Sequence, residues 1–222
     1  MAVAALVMAG GKGSRMKSDV EKPLTLFHGR PMILYAIEAA ENATTVKDVY
    51  VAVSPNTPQT SQKMRELGVK VVETLGRNYV ADMQIAIKRM ALKETLILSA
   101  DLPLLDAAII DQIVRYYQAS GKPALTVMAP LAGYRRLKLE PDLKIKIDGK
   151  TLVPVGVNFI NGDLIDQPEV DEEILVMNDV RVLLNVNTVK ELQLAEKYYR
   201  KLRTPAPVEG IPEGKPRLAL DT

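Results

Sequence analysis

The sequence predicts an α/β fold, with a mainly parallel central sheet and helices on both faces. Two observations carry the prediction. Short apolar, β-branched runs alternate with stretches of helical spacing as far as Pro130, and this β-α-β-α order leads to parallel strands joined by crossover helices. Glycines punctuate the helical stretches where helices should stop.

The elements follow in order. Residues 3–8 form a buried strand. Residues 32–42 form a helix, with Pro31 at its first turn and Ile33, Leu34, Ile37 and Ala40 on one face. Residues 46–53 form the second strand. Residues 59–67 form a helix stopped by Gly68, and residues 69–72 the third strand. A helix over 80–90 offers Ile85, Ile87 and Met90 to the core. Residues 95–99 form the fourth strand, 107–119 a helix stopped by Gly121, and 124–128 a fifth strand.

After Pro130 the rhythm breaks. Residues 134–140 are basic, and Asp148-Gly149 reads as a hairpin turn between 143–147 and 152–153. This region is either a lid or substrate platform, or a solvated surface hairpin. Residues 189–202 form a last helix that Asn187 or Thr188 would cap. The expected organisation is one domain over 1–203 and a tail over 204–222. Pro205, Pro207, Pro212 and Pro216 make that tail extended or mobile.

Composition excludes several classes. The net charge of +2 points to neither nucleic acid nor an anionic membrane. Cysteine is absent, so disulfides, thiolate metal sites and cysteine nucleophiles are excluded, and a reducing, cytoplasmic setting is the expectation. No apolar run has the length of a membrane span, and the apolar start is too short and wrongly flanked for a signal peptide. A lone His28, in a turn, excludes multi-histidine metal sites.

The most informative segment follows the first strand. Gly10-Gly11-Lys12-Gly13-Ser14-Arg15 combines glycines, which let backbone N–H groups crowd around an anion, with two cations that neutralise it. A nucleoside triphosphate is the simplest ligand for such a loop at a strand end. Lys22 arrives ten residues after Lys12, held by Pro23. The spacing matches neither the Walker loop nor the dinucleotide loop. Lys22 is expected at the α-phosphate, with Lys12, Arg15 and the glycines on the β- and γ-phosphates.

Asp101 is the first carboxylate after the fourth strand, at the sheet end where ligands of parallel sheets bind. A hard oxygen there suits Mg²⁺, the other reading being a turn or cap. Ser54 and Asn56, in Ser54-Pro55-Asn56-Thr57-Pro58, either read a purine edge or form a turn and cap. Gly156 implies a bulge or a close approach to a ligand, and Asn158 a core or ligand hydrogen bond. Neither a Ser-His-Asp nor a Cys-His set exists, which agrees with an acceptor phosphate acting as its own nucleophile.

The glycine loop with Glu21-Lys22-Pro23 resembles the signature of nucleotidyltransferases. The stretches at 54–58, 99–102, 152–158 and 185–188 extend that resemblance to the archaeal GTP:adenosylcobinamide-phosphate guanylyltransferases, from Ala5 to about Arg203. The resemblance implies a single-domain, Rossmann-like fold of GT-A type. It also implies transfer of GMP from GTP to adenosylcobinamide phosphate, GTP contacts at Gly10, Gly156 and Asn185, and a homodimer. Without a Walker motif the chain should be a transferase only, lacking the kinase activity of the bacterial cobinamide enzymes. Residues 134–144 and the tail fall outside the family pattern. Molybdopterin guanylyltransferases and sugar-1-phosphate nucleotidylyltransferases share the first two motifs and are the alternative. A non-catalytic nucleotide-binding regulator is the alternative of another class.

Overall fold

A computed structural model describes residues 2–16 and 20–203, so the tail expected over 204–222 lies outside the described residues. Strand β1 (Val3–Met8) leads through the glycine loop and two 3-10 turns (Ser14–Met16 and Lys22–Leu24) to a small hairpin, β2 (Leu26–Phe27) and β3 (Arg30–Pro31). There follow α1 (Ile33–Glu41), β4 (Val46–Val53), α2 (Pro58–Glu66), β5 (Lys70–Glu73), α3 (Tyr79–Arg89), β6 (Glu94–Ser99), α4 (Ala107–Ser120) and β7 (Ala124–Pro130). The last part comprises α5 (Leu131–Arg136), β8 (Ile145–Ile147), β9 (Lys150–Asn161), β10 (Glu172–Val176), α6 (Val180–Leu183) and α7 (Val189–Arg203).

The main sheet runs β10-β7-β9-β6-β1-β4-β5, with β8 paired to β9. Every pair is parallel except those made by β8 and β9. Both faces are covered. Val3, Ala5 and Val7 of β1 join a core with α1 and α4, while Leu6 joins a second core with Ala86 and Ile87 of α3. Each strand is therefore apolar on both sides, as buried parallel strands are. On α3 the core face is Met83, Ala86 and Ile87; Met90 is 36% exposed rather than buried. Gly68 and Gly121 stop α2 and α4 in left-handed conformations, at φ +74° and +65°.

The chain passes from β1 to β4 and β5 on one side of β1, then returns to β6 on the other. That reversal opens a crevice at the carboxyl ends of these strands, where doubly wound sheets bind ligands. β9 departs from the expected short hairpin strand. It is a twelve-residue antiparallel strand wedged between β6 and β7. Its pairing with β7 slips between Thr126 and Met128. Gly156 sits in this irregularity at φ +78°, where a Cβ would lie 2.7 Å from Ser99 Oγ.

Asp111 ties α4 to the α1–β4 connection. It is 8% exposed and accepts hydrogen bonds from Thr44 Oγ1 (2.7 Å), Thr45 N (2.9 Å) and Thr45 Oγ1 (2.6 Å). Burial pushes its carboxyl up, but the bonds from Thr45 and Thr44 outweigh that and hold it at about 2. Its folded pKa lies below the unfolded value near 3.9, so its stabilisation is complete above that value and is lost as pH falls from about 4 to about 2. Asp111→Asn should cost ~1–3 kcal/mol at pH 7 and flatten the acid limb of stability, read from urea midpoints at pH 7 and pH 3.

Candidate active site

The glycine loop is held from behind. Ser54 Oγ donates to the Gly10 carbonyl at 2.7 Å, and Asn56 Nδ2 reaches the same oxygen at 3.4 Å. A Cβ on Gly10 would stand 3.0 Å from Ser54 Cβ, so Gly10 is small because the β4–α2 turn packs against it. The same turn anchors the second cluster. Glu21 accepts from the N–H groups of Gln59 and Thr60, each at 2.7 Å, and from Thr60 Oγ1 at 2.6 Å. Its carboxylate thus caps the start of α2 and leaves Lys22 unpaired with it. The loop and Lys22, ten residues apart in sequence, are bolted to one support.

Gly13 is demanded by geometry. Its φ is +59°, and a Cβ there would lie 2.6 Å from Lys22 Cβ. A Cβ on Gly11 would meet nothing within 4 Å. Gly13→Ala should cost ~1–2 kcal/mol of stability and at least tenfold in turnover, because it displaces Lys22. Gly11→Ala is the paired control and should lose less of both; thermal melts and steady-state rates on the two variants check this.

Lys22 Nζ donates to Asp101 Oδ2 at 2.5 Å and to Asn187 Oδ1 at 2.7 Å. The Lys22 and Asp101 side chains are 15% and 17% exposed, so the pair is poorly screened. Arg15 donates to Asn187 Oδ1 at 2.8 Å and pairs with Asp142 across the mouth of the crevice. Asn187 therefore orients both cations, a role the sequence did not disclose. The turn that carries it also holds Asp101: the Asp101 carbonyl accepts from Val186 N at 2.9 Å, and Asn185 Nδ2 lies 3.4 Å from Asp101 Oδ1. Asn185 also donates to the Val155 carbonyl at 3.0 Å, beside the Gly156 bulge. Thr188 and Glu191 form a reciprocal cap at the start of α7: Glu191 accepts from Asn187 N at 2.8 Å and from Thr188 Oγ1 at 3.0 Å, and Glu191 N donates to Thr188 Oγ1 at 3.3 Å.

Two cavities meet here. The larger, about 590 Å³, is lined by Gly10, Gly11, Lys12, Gly13, Arg15, Lys22, Asn56 and Asp101, together with Met8, Ala52, Thr74, Tyr79 and Asp82. The smaller, about 350 Å³, is lined by Tyr134, Glu140, Asp142, Gly156, Asn158, Asn185 and Glu191. Arg15, Tyr79, Ser99, Asp101 and Asn187 line both and form the shared wall. Gly156 and Asn185 thus stand on the far side of Asp101 from the glycine loop. Ser54 supports the loop without lining either cavity, and Thr57, 1% exposed, bonds within its own turn. Ser14 belongs to the 3-10 turn Ser14–Met16 beside the loop. The segment 134–144 contributes Tyr134, Glu140, Asp142 and Leu143 to the wall of the smaller cavity, a place open to a lid or a platform alike.

Tyr79 is 42% exposed as a residue, yet its hydroxyl is lodged beside Asn158 and Asp101, and its burial there pushes the phenol up to about 12. Burial likewise pushes Tyr134 up to about 12. Both phenols are protonated donors at neutral pH. Among the described residues no group of three His, Cys, Asp or Glu side chains is placed to hold a metal. Asp101 and the Asn187 side-chain oxygen stand instead as a sparse pair of hard oxygens, the kind of set a divalent cation shares with phosphates. The Lys22 ammonium lies between these two oxygens.

Residues 5–141 match the model of the MobA-like NTP transferase domain. An adenosylcobinamide-phosphate guanylyltransferase from Methanocaldococcus jannaschii is 34% identical over 89% of this chain and 97% of its own. A probable molybdenum cofactor guanylyltransferase from Thermococcus gammatolerans is 30% identical over 53% of this chain and 58% of its own. Among solved structures, a CMP:2-keto-3-deoxy-manno-octonic acid synthetase complexed with CTP superposes with a TM-score of 0.70 at 15% identity, over 91% of this chain and all of that one. The family match over residues 5–141 and the relative matched almost end to end place the chain, with its crevice at the carboxyl ends of the strands, in the MobA-like NTP transferase family, and it is a nucleotidyltransferase.

Proposed function

We propose that this chain transfers GMP from GTP to adenosylcobinamide phosphate, giving adenosylcobinamide-GDP and pyrophosphate. The observation that carries the reading is the pair of cavities that share Asp101 as a wall, one bearing the glycine loop and the other not. A donor and an acceptor can approach one reacting centre from opposite sides, as an in-line displacement requires. The relative from Methanocaldococcus jannaschii, matched almost end to end, supports the choice of donor and acceptor.

In this reading the larger cavity takes the triphosphate. Gly10, Gly11, Gly13 and Ser14 offer backbone N–H groups, and Lys12 and Arg15 neutralise the β- and γ-phosphates. An oxygen of the acceptor phosphate attacks the α-phosphorus, the bond from that phosphorus to the α–β bridging oxygen breaks, and pyrophosphate leaves. Lys22 moves its ammonium from Asp101 to the α-phosphoryl oxygens. Asp101 and Asn187 would then hold Mg²⁺, which supplies charge neutralisation at the phosphates. Gly156, Asn185 and the protonated Tyr134 face the acceptor. Residues 1–203 act as one domain, in a cytoplasmic homodimer.

The test is pyrophosphate release from GTP and Mg²⁺ with a panel of acceptors: adenosylcobinamide phosphate, molybdopterin and sugar 1-phosphates. Release only with adenosylcobinamide phosphate is expected. Release with another acceptor in its place would overturn the reading.

A further inference from the structure

We propose that Asp82 reads the guanine base: its second carboxylate oxygen accepts the N1–H and 2-amino hydrogens that adenine lacks. The proposal rests on the reading of GTP as donor and assigns base specificity to the β5–α3 turn.

Asp82 is 6% exposed and lines the larger cavity. Its Oδ1 accepts from Leu75 N at 3.2 Å and from Gly76 N at 3.0 Å, so the side chain is fixed to the turn. Its Oδ2 takes no hydrogen bond among the described residues. Thr25 Oγ1 is the one side-chain polar atom among them that is both sealed from solvent and unpaired, so Oδ2 reaches open space, and the open space at Asp82 is the cavity. A carboxylate this buried with one oxygen unpartnered is costly unless a ligand donates to it.

The surroundings fit a base. Met8 and Ala52 line the same cavity and offer apolar surface to a ring face, and the cations of the phosphate loop belong to other elements of the wall. Arg77 and Asn78 of the same turn also line the cavity, and the Asn78 oxygen is committed to Ala81 N at 2.9 Å, so Asp82 is the acidic acceptor of that turn. Ser54 donates to Gly10, and Thr74 Oγ1 donates to the Val53 carbonyl at 2.9 Å. The purine-reading role expected of the segment at 54–57 therefore passes to Asp82, with Asn56 left at the cavity wall.

The alternative is that Asp82 only braces the turn. Asp82→Asn separates the two roles. The amide oxygen can still accept from Leu75 and Gly76, while the other position becomes an NH₂ donor. That donor opposes the guanine 2-amino group and suits xanthine, which carries a carbonyl at C2. The experiment measures kcat/KM for GTP, XTP and ITP with saturating adenosylcobinamide phosphate, in the full-length wild type and in Asp82→Asn. The wild type should favour GTP over XTP by at least about 100-fold, and over ITP by about tenfold, because each mismatch leaves a buried group unpaired. Asp82→Asn should lose GTP and gain XTP, reversing the order. An unchanged GTP:XTP ratio in the variant would overturn the proposal. Should the variant not fold, equal use of ITP and GTP by the wild type would overturn it instead. A wild type that uses ATP as well as GTP would overturn the donor reading itself, a result distinct from either.

Discussion

Lys22→Ala should lower kcat by about 10²–10³-fold, a loss of ~2.7–4 kcal/mol in transition-state stabilisation, while GTP affinity changes little. The Lys22 side chain is 15% exposed, and its ammonium is held by Asp101 and Asn187 before substrate arrives. GTP binding therefore exchanges one set of oxygens for another, and the ground-state gain is small. The gain appears when charge grows at the α-phosphoryl group. Lys22→Arg should rescue poorly, because a planar fork cannot take the place of a compact ammonium seated between two oxygens. Lys12→Ala is the contrast. Lys12 is exposed at the loop and should weaken GTP binding itself. Single-turnover rates with calorimetric GTP affinities on the three variants separate these effects, and an unchanged kcat for Lys22→Ala would remove it from the reacting centre.

Asp101→Asn should cost at least 100-fold in turnover while the melting temperature moves only a few degrees. Residues that merely orient a metal ligand cost 10–100-fold, and Asp101 is the carboxylate of the shared wall. The amide keeps the Asp101 backbone bond to Val186 and an oxygen for Lys22, so the fold is preserved. It also loses the charge that holds Lys22 in its resting place. The variant should need far more Mg²⁺ for half-maximal rate. A Mg²⁺ titration that superposes on the wild type would exclude Asp101 as the metal ligand.

Much of the fold was legible because each early element is local. The strands over 3–8 and 46–53 match their expected limits, and the other expected elements as far as β7 differ at their ends by a residue or two, where terminal hydrogen bonds decide; the small β2–β3 hairpin was read only as a turn. The region after Pro130 was less legible. α5 and α6 are too short to show a helical period, and β10 begins with Glu172 and Glu173 at the sheet edge, where no apolar pattern announces a strand. β9 reads as a short hairpin strand until it is seen to pair on both sides with β6 and β7.

At the site, the glycine loop, Lys22 and Asp101 were legible because phosphate chemistry dictates residue type and spacing. Asn187 was not. It stands 165 residues from Lys22, and in sequence it looks like one more cap beside Thr188. Asp82 was hidden for a similar reason: an acidic residue in the first turn of a helix is unremarkable until the residue is found lining a cavity. Ser54 was expected at a purine edge, but it lines neither cavity and its hydroxyl serves the Gly10 carbonyl, a contact fixed by the parallel pairing of β1 and β4.

Chemistry at the shared wall of the two cavities should move the α-phosphoryl group with its nucleoside, and not the terminal phosphate. GTP labelled at either the α- or the γ-phosphorus, incubated with enzyme, Mg²⁺ and adenosylcobinamide phosphate for a single turnover, tests it directly. The α-label should appear in the cobinamide product and the γ-label wholly in pyrophosphate. A γ-label in the product, or an α-label that stays in nucleotide while the acceptor is present, would contradict the account.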